Sequence, residues 1–268
     1  MSIIVNDALD FLRELPDESV PLFLFSPPYN LGNSSGGAAA YARRRGHYPA
    51  DAPLGKRGGG KWYGGPLSGY GVDDADNLPW PEYIAWQHAV VRECWRCLPE
   101  TGAIYYVHKP RVIDGVLFDP DMFIPEELPI RQRIIRALGS GINNNPTAYC
   151  PTHEEILIIA KPDFRLRDRG ASGVGSVWYI PHSGRDSNSW HPAPFPLALA
   201  ERVIETTMPA LVADPFSGSG TTAQACKRLG VPFIGCDRNA DYVARALREL
   251  ADVQPYEQAL LPTQAVLL

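Results

Sequence analysis

Residues Asp214–Ala223 read DPFSGSGTTA; the apolar run Ala210–Ala213 precedes them, and the helix-patterned TTAQACKRLG of Thr221–Gly230 overlaps their end. Gly218-x-Gly220-x-x-Ala223 therefore sits between a predicted strand and a predicted helix. Glycines there permit a tight turn and let the backbone approach a ligand closely. The next apolar run, PFIGCD (Pro232–Asp237), ends on an acidic residue seventeen positions after Gly220. In dinucleotide-type units an acid at that place bonds ribose hydroxyls. This strand–turn–helix–strand unit predicts an α/β fold with a ligand at the carboxyl ends of its strands.

The position of the unit decides the topology. Only 31 residues follow Asp237, too few for the remaining strands of a nucleotide-binding sheet. Those strands must come from the other end: IIVN (Ile3–Asn6), LFLF (Leu22–Phe25) and AIYYVH (Ala103–His108). The expectation is a circularly permuted, mostly parallel sheet with helices on both faces. Further strands are expected at Glu155–Lys161 and Val177–Ile180. Helices are expected at Ala8–Leu15, Leu197–Met208, Thr221–Gly230 and Ala240–Leu250. Another opens at Pro81, with an apolar stripe of Ile84, His88, Val91, Trp95 and Leu98. A nicotinamide dehydrogenase, whose glycine turn follows its first strand, is disfavoured by this order.

Composition narrows the class. The chain has 268 residues, 45% hydrophobic and 21% charged, which is globular. No run approaches the ~20 apolar residues of a membrane span. The start, MSIIVNDALDFL, lacks the basic region of a secretory signal, so a cytoplasmic location is expected. Five cysteines at irregular spacing argue against a disulfide framework. Cys94-x-x-Cys97 has no second pair to complete a zinc site, and no metal is expected. No Pro-Cys dipeptide is present to supply the nucleophile of a cysteine-dependent cytosine-C5 methylation.

Charge is unevenly spread. The net charge is −5, yet between Asn33 and Val72 six cations (Arg43, Arg44, Arg45, Lys56, Arg57, Lys61) face Asp51 alone. Leu31–Asp76 is also rich in glycine, and composition alone reads it as a surface loop. It divides the chain into a main domain, 1–30 and 77–268, and an insertion, 31–76. The insertion leaves directly from FSPPYN (Phe25–Asn30), at the carboxyl end of a buried strand. There Pro27 and Pro28 remove two N–H donors and stiffen the turn. The carbonyls of Ser26 and Pro27 become outward acceptors beside the aromatic face of Tyr29, a combination suited to a planar ring bearing an amine. Taken alone, the segment reads as a rigid turn with a packing tyrosine.

SPPY at Ser26–Tyr29, HPAPFP at His191–Pro196 and DPFSGSGTT at Asp214–Thr222 together resemble the S-adenosylmethionine-dependent DNA amino-methyltransferases. Catalytic motif first and cofactor motif last resembles their β-class, permuted arrangement. The likeness also takes in Asn6-Asp7, HEEILIIAKP from His153, and GCD ending at Asp237. It leaves out Leu31–Asp76 and Arg111–Asn145. It implies a Rossmann-like methyltransferase fold with an inserted DNA-recognition region, and S-adenosyl-L-methionine as cofactor.

By that resemblance Phe216, Gly218 and Gly220 wrap the methionine moiety, and Asp214 belongs to the same cofactor site. Thr221 and Thr222 meet its carboxylate at a helix N-terminus, and Asp237 takes the ribose hydroxyls. Asp7 meets the adenine or merely caps its helix. His191, Pro192 and Phe195 complete the cofactor site. Ser26, Pro27, Pro28 and Tyr29 form the catalytic centre for a base flipped out of duplex DNA. Arg43, Arg44, Arg45, Lys56, Arg57 and Lys61 are expected to bind DNA. SPPY is commoner in the family's cytosine-N4 enzymes and DPPY in its adenine-N6 enzymes, so cytosine-N4 is the expected target and adenine-N6 the alternative. A nucleic-acid-binding relative without catalysis is the competing class. Double-stranded DNA is the expected partner; a cognate restriction endonuclease and a homodimer are left open.

Overall fold

A computed structural model describes residues 1–30, 78–113, 116–139, 149–150, 152–181 and 196–256. Its principal sheet has eight strands in the order β1-β10-β9-β2-β3-β7-β6-β8. These are β1 (Ser2–Val5), β2 (Leu22–Phe25), β3 (Ala103–His108), β6 (Ile130–Ala137), β7 (His153–Ala160), β8 (Val177–Tyr179), β9 (Val212–Asp214) and β10 (Phe233–Asp237). A separate hairpin pairs β4 (Arg111–Ile113) with β5 (Val116–Phe118). The helices are α1 (Ala8–Glu14), α2 (Trp80–Cys97), α3 (Arg169–Ser172), α4 (Leu197–Thr207), α5 (Thr221–Leu229) and α6 (Ala240–Asp252). Among the described residues no helix is long and apolar enough to cross a membrane.

The expected permutation is present. β9 and β10, from the end of the chain, lie between β1 and β2, from its beginning. Val5 pairs with Asp237 and Leu22 with Val212, all in parallel. Five adjacent strands, β1, β10, β9, β2 and β3, thus point their carboxyl ends the same way. Beyond β3 the sheet turns antiparallel at β7 and again at β6. The chain leaves β9 towards β10 and leaves β2 towards β3, so the strand order reverses between β9 and β2. Open α/β sheets bind ligands at such a reversal.

β2 is apolar throughout because both sheet faces are covered. Leu22 and Leu24 face a core shared with α4, α5 and α6. Phe23 and Phe25 face a second core shared with α1 and α2. α2 begins at Trp80 with Pro81 in its first turn, as expected, but its buried face is rotated from the apolar stripe. Tyr83, Gln87, Val90, Val91, Cys94 and Cys97 are buried, whereas His88 is only half-buried and its Nε2 lies 3.1 Å from the Met122 carbonyl. Of the polar residues on that face, Tyr83 meets His108, and Gln87 Oε1 accepts from the Tyr106 hydroxyl while its Nε2 is left without a partner among the described residues.

The strand β6, IRQRIIRA, is not among the strands expected from the sequence, because its arginines interrupt the apolar pattern. Arg136 is nevertheless 1% exposed. It donates to the Ile180 and Pro181 carbonyls at 2.9 and 3.1 Å and pairs with Glu154, so the buried charge is compensated. Three carboxylates, Asp119, Asp121 and Glu155, converge similarly on Arg133 at 3.1, 2.5 and 3.3 Å.

Gly235, in the middle of β10, permits the central crossing of the fold. A Cβ there would lie 2.3 Å from Ser217 Oγ and 2.6 Å from the Asp214 carbonyl oxygen. The turn after β9 is folded directly over that strand, and backbone cannot retreat as a side-chain tip can. Gly235→Ala should therefore destabilise the protein by about 1–3 kcal/mol, the usual cost of overpacking. Thermal unfolding should show a midpoint several degrees lower; an unchanged midpoint would mean that the turn does not need this close approach.

Candidate active site

The turn after β9 is organised by one carboxylate. Asp214, 1% exposed, accepts from the Phe216 N–H and the Thr222 hydroxyl, both at 2.8 Å. Ser217 N–H donates to the Cys236 carbonyl at 2.8 Å, and Ser217 Oγ donates to the Asp214 carbonyl at 3.0 Å. Gly220 has φ +77°, and a Cβ on it would meet Ala246 Cβ of α6 at 3.1 Å. The glycine thus serves the turn and the packing of α5 against α6, so a branched residue there would disturb the fold as well as a ligand. α5 starts on Gly220 with no side-chain cap. Its first N–H groups and positive dipole end face the carboxyl edge of the sheet, an arrangement suited to a carboxylate. Thr222 is engaged with Asp214, so Thr221, whose Oγ1 lies 3.1 Å from Ser219 Oγ, is the hydroxyl nearer the rim.

Two more carboxylates stand at neighbouring strand ends. Asp237 closes β10 and accepts from Gly218 N–H at 2.9 Å and Asn239 N–H at 2.8 Å. Each bond goes to a different oxygen, which leaves lone pairs for vicinal hydroxyls. Burial raises its carboxyl pKa, and the two N–H donors oppose the shift. Asp7, just beyond β1, caps α1 by accepting from Leu9 N–H at 2.9 Å, and its other oxygen is 3.7 Å from Arg238 Nε. The capping role is therefore occupied, and the second oxygen is paired with Arg238.

Ser26–Asn30 leaves the carboxyl end of β2 beside this turn. Phe25 and Phe216 have ring centroids 5.6 Å apart, and Trp86 meets Phe216 edge-on at 5.6 Å. These contacts join the glycine turn to the proline loop. Ser26 Oγ donates to Tyr29 Oη at 2.9 Å, so its lone pairs remain available to an incoming N–H. Tyr29 is buried, one face lying 4.3 Å from the His108 ring at 40°. The Pro28 carbonyl accepts from Tyr83 Oη at 2.7 Å, which removes it from the outward acceptors. The Asn30 carboxamide donates to the Leu78 carbonyl and accepts from the Leu78 N–H, both at 2.8 Å.

Of the expected cofactor and catalytic residues, Asp7, Ser26, Pro27, Pro28, Tyr29, Asp214, Phe216, Gly218, Gly220, Thr221, Thr222 and Asp237 gather at one edge of the sheet. His191, Pro192, Phe195, Arg43, Arg44, Arg45, Lys56, Arg57 and Lys61 lie outside the described residues. Cysteine chemistry finds no support at this edge. Cys94, Cys97, Cys226 and Cys236 are buried free thiols, and burial pushes Cys97 up to about 11.

The comparisons with known proteins agree with this geometry. The DNA methylase family of N6 and N4 type matches residues 20–248. The chain belongs to that family. The type II methyltransferase M.HpaI of Haemophilus parainfluenzae is 26% identical over 272 residues, covering 92% of this chain and 73% of that protein. The DNA adenine methyltransferase YhdJ of Escherichia coli is 24% identical, over 93% of this chain and 82% of that protein. Among solved structures, the cytosine-N4-specific PvuII DNA methyltransferase superposes with a TM-score of 0.67 at 17% identity, over 94% of this chain and 90% of that one. A DNA modification methylase of Thermus thermophilus, solved with S-adenosyl-L-methionine, superposes with a TM-score of 0.63 at 23% identity over 94% of each chain. Methyl transfer to an exocyclic amine of DNA is the activity that goes with the family.

Asp214 gives this methylase a pH signature. Burial raises its carboxyl to about 7, against the Thr222 and Phe216 bonds that lower it. The folded protein then keeps a proton that the unfolded chain releases near its ordinary value of 3.8. Stability from this group is full below that value and is lost as pH rises to about 7. In Asp214→Asn the amide oxygen still accepts from Phe216, and its NH2 donates to Thr222 Oγ1. The thermal midpoint of the wild type should fall relative to that of Asp214→Asn between about pH 4 and 7. Parallel pH profiles would show that another group titrates there.

Proposed function

We propose that the protein methylates the exocyclic N4 amine of cytosine in duplex DNA, with S-adenosyl-L-methionine as methyl donor. The observation that supports this most directly is the state of Ser26. Its proton is committed to Tyr29, and among the described residues nothing donates to the Pro27 carbonyl. Two neutral acceptors thus stand together at the end of β2, next to the glycine turn. An amine needs such a pair: its two protons are held, and its lone pair is drawn out of conjugation with the ring.

The site's donors and acceptors also fit S-adenosyl-L-methionine. The uncapped helix start would hold its carboxylate, Asp237 its ribose hydroxyls and Asp7 its adenine, with the Phe216 ring beside them. The chemistry supplied by that cofactor is an electrophilic methyl carbon on a sulfonium. The protein's part is positional and electrostatic. Tyr29 would stack on the flipped base, with the His108 ring 4.3 Å from its own and Lys109 Nζ 5.8 Å from its centroid. With that donor bound, Ser26 and Pro27 would orient the amine for in-line attack on the methyl carbon, the sulfonium C–S bond breaking as N–C forms and the surplus amine proton leaving to solvent. Flipping costs a few kcal/mol, repaid by stacking and by these hydrogen bonds. SPPY favours cytosine over adenine. The E. coli relative, named an adenine methyltransferase, is the reason to keep adenine-N6 as the second reading.

The test is methylome sequencing of a host expressing the chain, with chemistry that separates N4-methylcytosine from N6-methyladenine. N4-methylcytosine at one short motif is expected; N6-methyladenine alone would select the second reading, and no mark would select a binding protein without catalysis. In vitro, Tyr29→Ala should lose the ~1–3 kcal/mol that stacking on an aromatic ring is worth, with affinity for the methyl donor unchanged. Ser26→Ala should slow transfer more than it weakens DNA binding.

The same reading gives residues 31–76 the DNA contacts. An acidic protein must hold a polyanion, and phosphate contacts supply most of the sequence-independent affinity. The roots of the insertion are clasped at Asn30 and Leu78, beside the proposed catalytic loop. Replacing Arg43, Arg44 and Arg45 together by Ala should weaken DNA binding and flatten its salt dependence by up to about 0.9 for each phosphate no longer neutralised. An unchanged slope would return the insertion to the status of a surface loop. A cognate restriction endonuclease is a consistent partner, since M.HpaI is a type II methyltransferase; homodimerisation would be read by sedimentation.

A further inference from the structure

We infer that Tyr83 and His108 are positioning residues for methyl transfer. A buried hydrogen-bonded relay through them holds the Pro28 carbonyl and backs the Tyr29 ring, and so sets where the target base rests. The inference deepens the proposed function and rests on the reading of Ser26–Tyr29 as the catalytic centre.

The need for such a relay follows from the sequence of the loop. Pro27 and Pro28 carry no N–H, so the loop cannot be fixed by its own backbone donors. Its anchors must be side chains or donors brought to its carbonyls. Ser26 and Tyr29 bond each other within the loop. Asn30, in the left-handed region at φ +53°, ties the loop's far end to Leu78. Between them the Pro28 carbonyl receives the Tyr83 hydroxyl at 2.7 Å, from the first turns of α2.

Tyr83 is oriented in turn. Its Oη lies 3.0 Å from His108 Nε2, and both residues are fully buried. His108 Nδ1 lies 2.9 Å from the Lys109 N–H and 3.0 Å from the Lys109 carbonyl. With the proton on Nε2, the Lys109 N–H donates to Nδ1, Nε2–H donates to Tyr83, and Tyr83 donates to Pro28. With the proton on Nδ1, the Tyr83 hydroxyl would be needed by both Nε2 and the Pro28 carbonyl, and the Lys109 N–H would lose its acceptor. The neighbours therefore assign the Nε2–H tautomer. The same imidazole packs 4.3 Å from Tyr29, is stacked at 2° on Tyr106, and lies 4.6 Å from Phe123. It has no freedom to turn away, so a single ring fixes both the carbonyl before Tyr29 and the Tyr29 ring. A core that needed only packing would be served by two phenylalanines, without the cost of burying these polar atoms.

Tyr83→Phe removes Oη alone and keeps the ring against Trp80 and Phe123. His108→Phe keeps a ring against Tyr29 and removes both relay nitrogens. Single-turnover transfer from methyl-tritiated S-adenosylmethionine to unmethylated bacterial genomic DNA, at saturating donor, should slow about tenfold in each variant. The donor KM should stay within twofold. The double variant should be no slower than the worse single one, because both cut the same chain. Rates within twofold of wild type in Tyr83→Phe, while Tyr29→Ala is slow, would overturn the inference. So would losses that appear in donor KM, or that multiply in the double variant. A wild-type rate in Tyr29→Ala would overturn the catalytic reading itself, and this inference with it. If His108→Phe does not fold, Tyr83→Phe decides the question alone.

Discussion

The buried carboxylate of Asp214 is the interaction on which the rest of the molecule depends. By accepting from Phe216 N–H and Thr222 Oγ1 at once, it forces the chain to fold back over the end of β9 and start α5 within a few residues. Everything brought to the carboxyl edge is set from that bend. Gly218 is pulled towards Asp237, α5 begins uncapped on Gly220, and Phe216 is pressed against Phe25 and Trp86. The last contact has a long reach in sequence, because it links a turn near residue 216 to a strand near residue 25. A permuted sheet needs such a link. Its two halves are far apart along the chain, and only non-local packing makes them one site.

The same crossing explains which parts of the fold could be read without the structure. β2, β9 and β10 are short apolar runs bounded by proline or glycine, and their order alone required strands from both ends of the chain to interleave. β6 carries no local signal because Arg131, Arg133 and Arg136 are each bonded by partners distant in sequence. Arg131 donates to the Lys161, Pro162 and Phe164 carbonyls, and Arg136 pairs with Glu154. No local pattern announces such compensation. Gly235 was visible only as a letter in GCD, since its reason is the turn lying on top of it. Tyr83 and His108 carry no motif at all; a tyrosine on a helix and a histidine ending a strand look like core until their polar atoms are seen to meet. The motif residues at the sheet edge were legible because glycine and proline constrain the backbone locally. The residues that hold them were not, because that support is tertiary.

The edge combines two kinds of acceptor, and their difference follows from burial. The Asp7, Asp214 and Asp237 carboxylates lie on the side of the glycine turn. The proline loop offers only a hydroxyl and carbonyls. On the proposed reading, a carboxylate in the loop would add negative charge beside the DNA. Asp214 avoids this by its depth, which raises its carboxyl to about 7. The loop avoids it by having no ionisable acceptor. Near the loop the charge is positive instead: Lys109 Nζ lies 5.8 Å from the Tyr29 ring centroid.

The stitch between Asn30 and Leu78 completes the logic. A loop's closure entropy rises only slowly with its length, about 0.6 kcal/mol per doubling. What an insertion threatens is the geometry of its two ends. Here a single carboxamide bonds both backbone groups of Leu78, so the ends are held at a fixed spacing whatever lies between them. Tyr83, one turn further into α2, is then brought to Pro28 by the same arrangement. The residues that anchor the insertion and those that hold the proline loop belong to one connected set, Pro28–Asn30 on one side and Leu78–Tyr83 on the other.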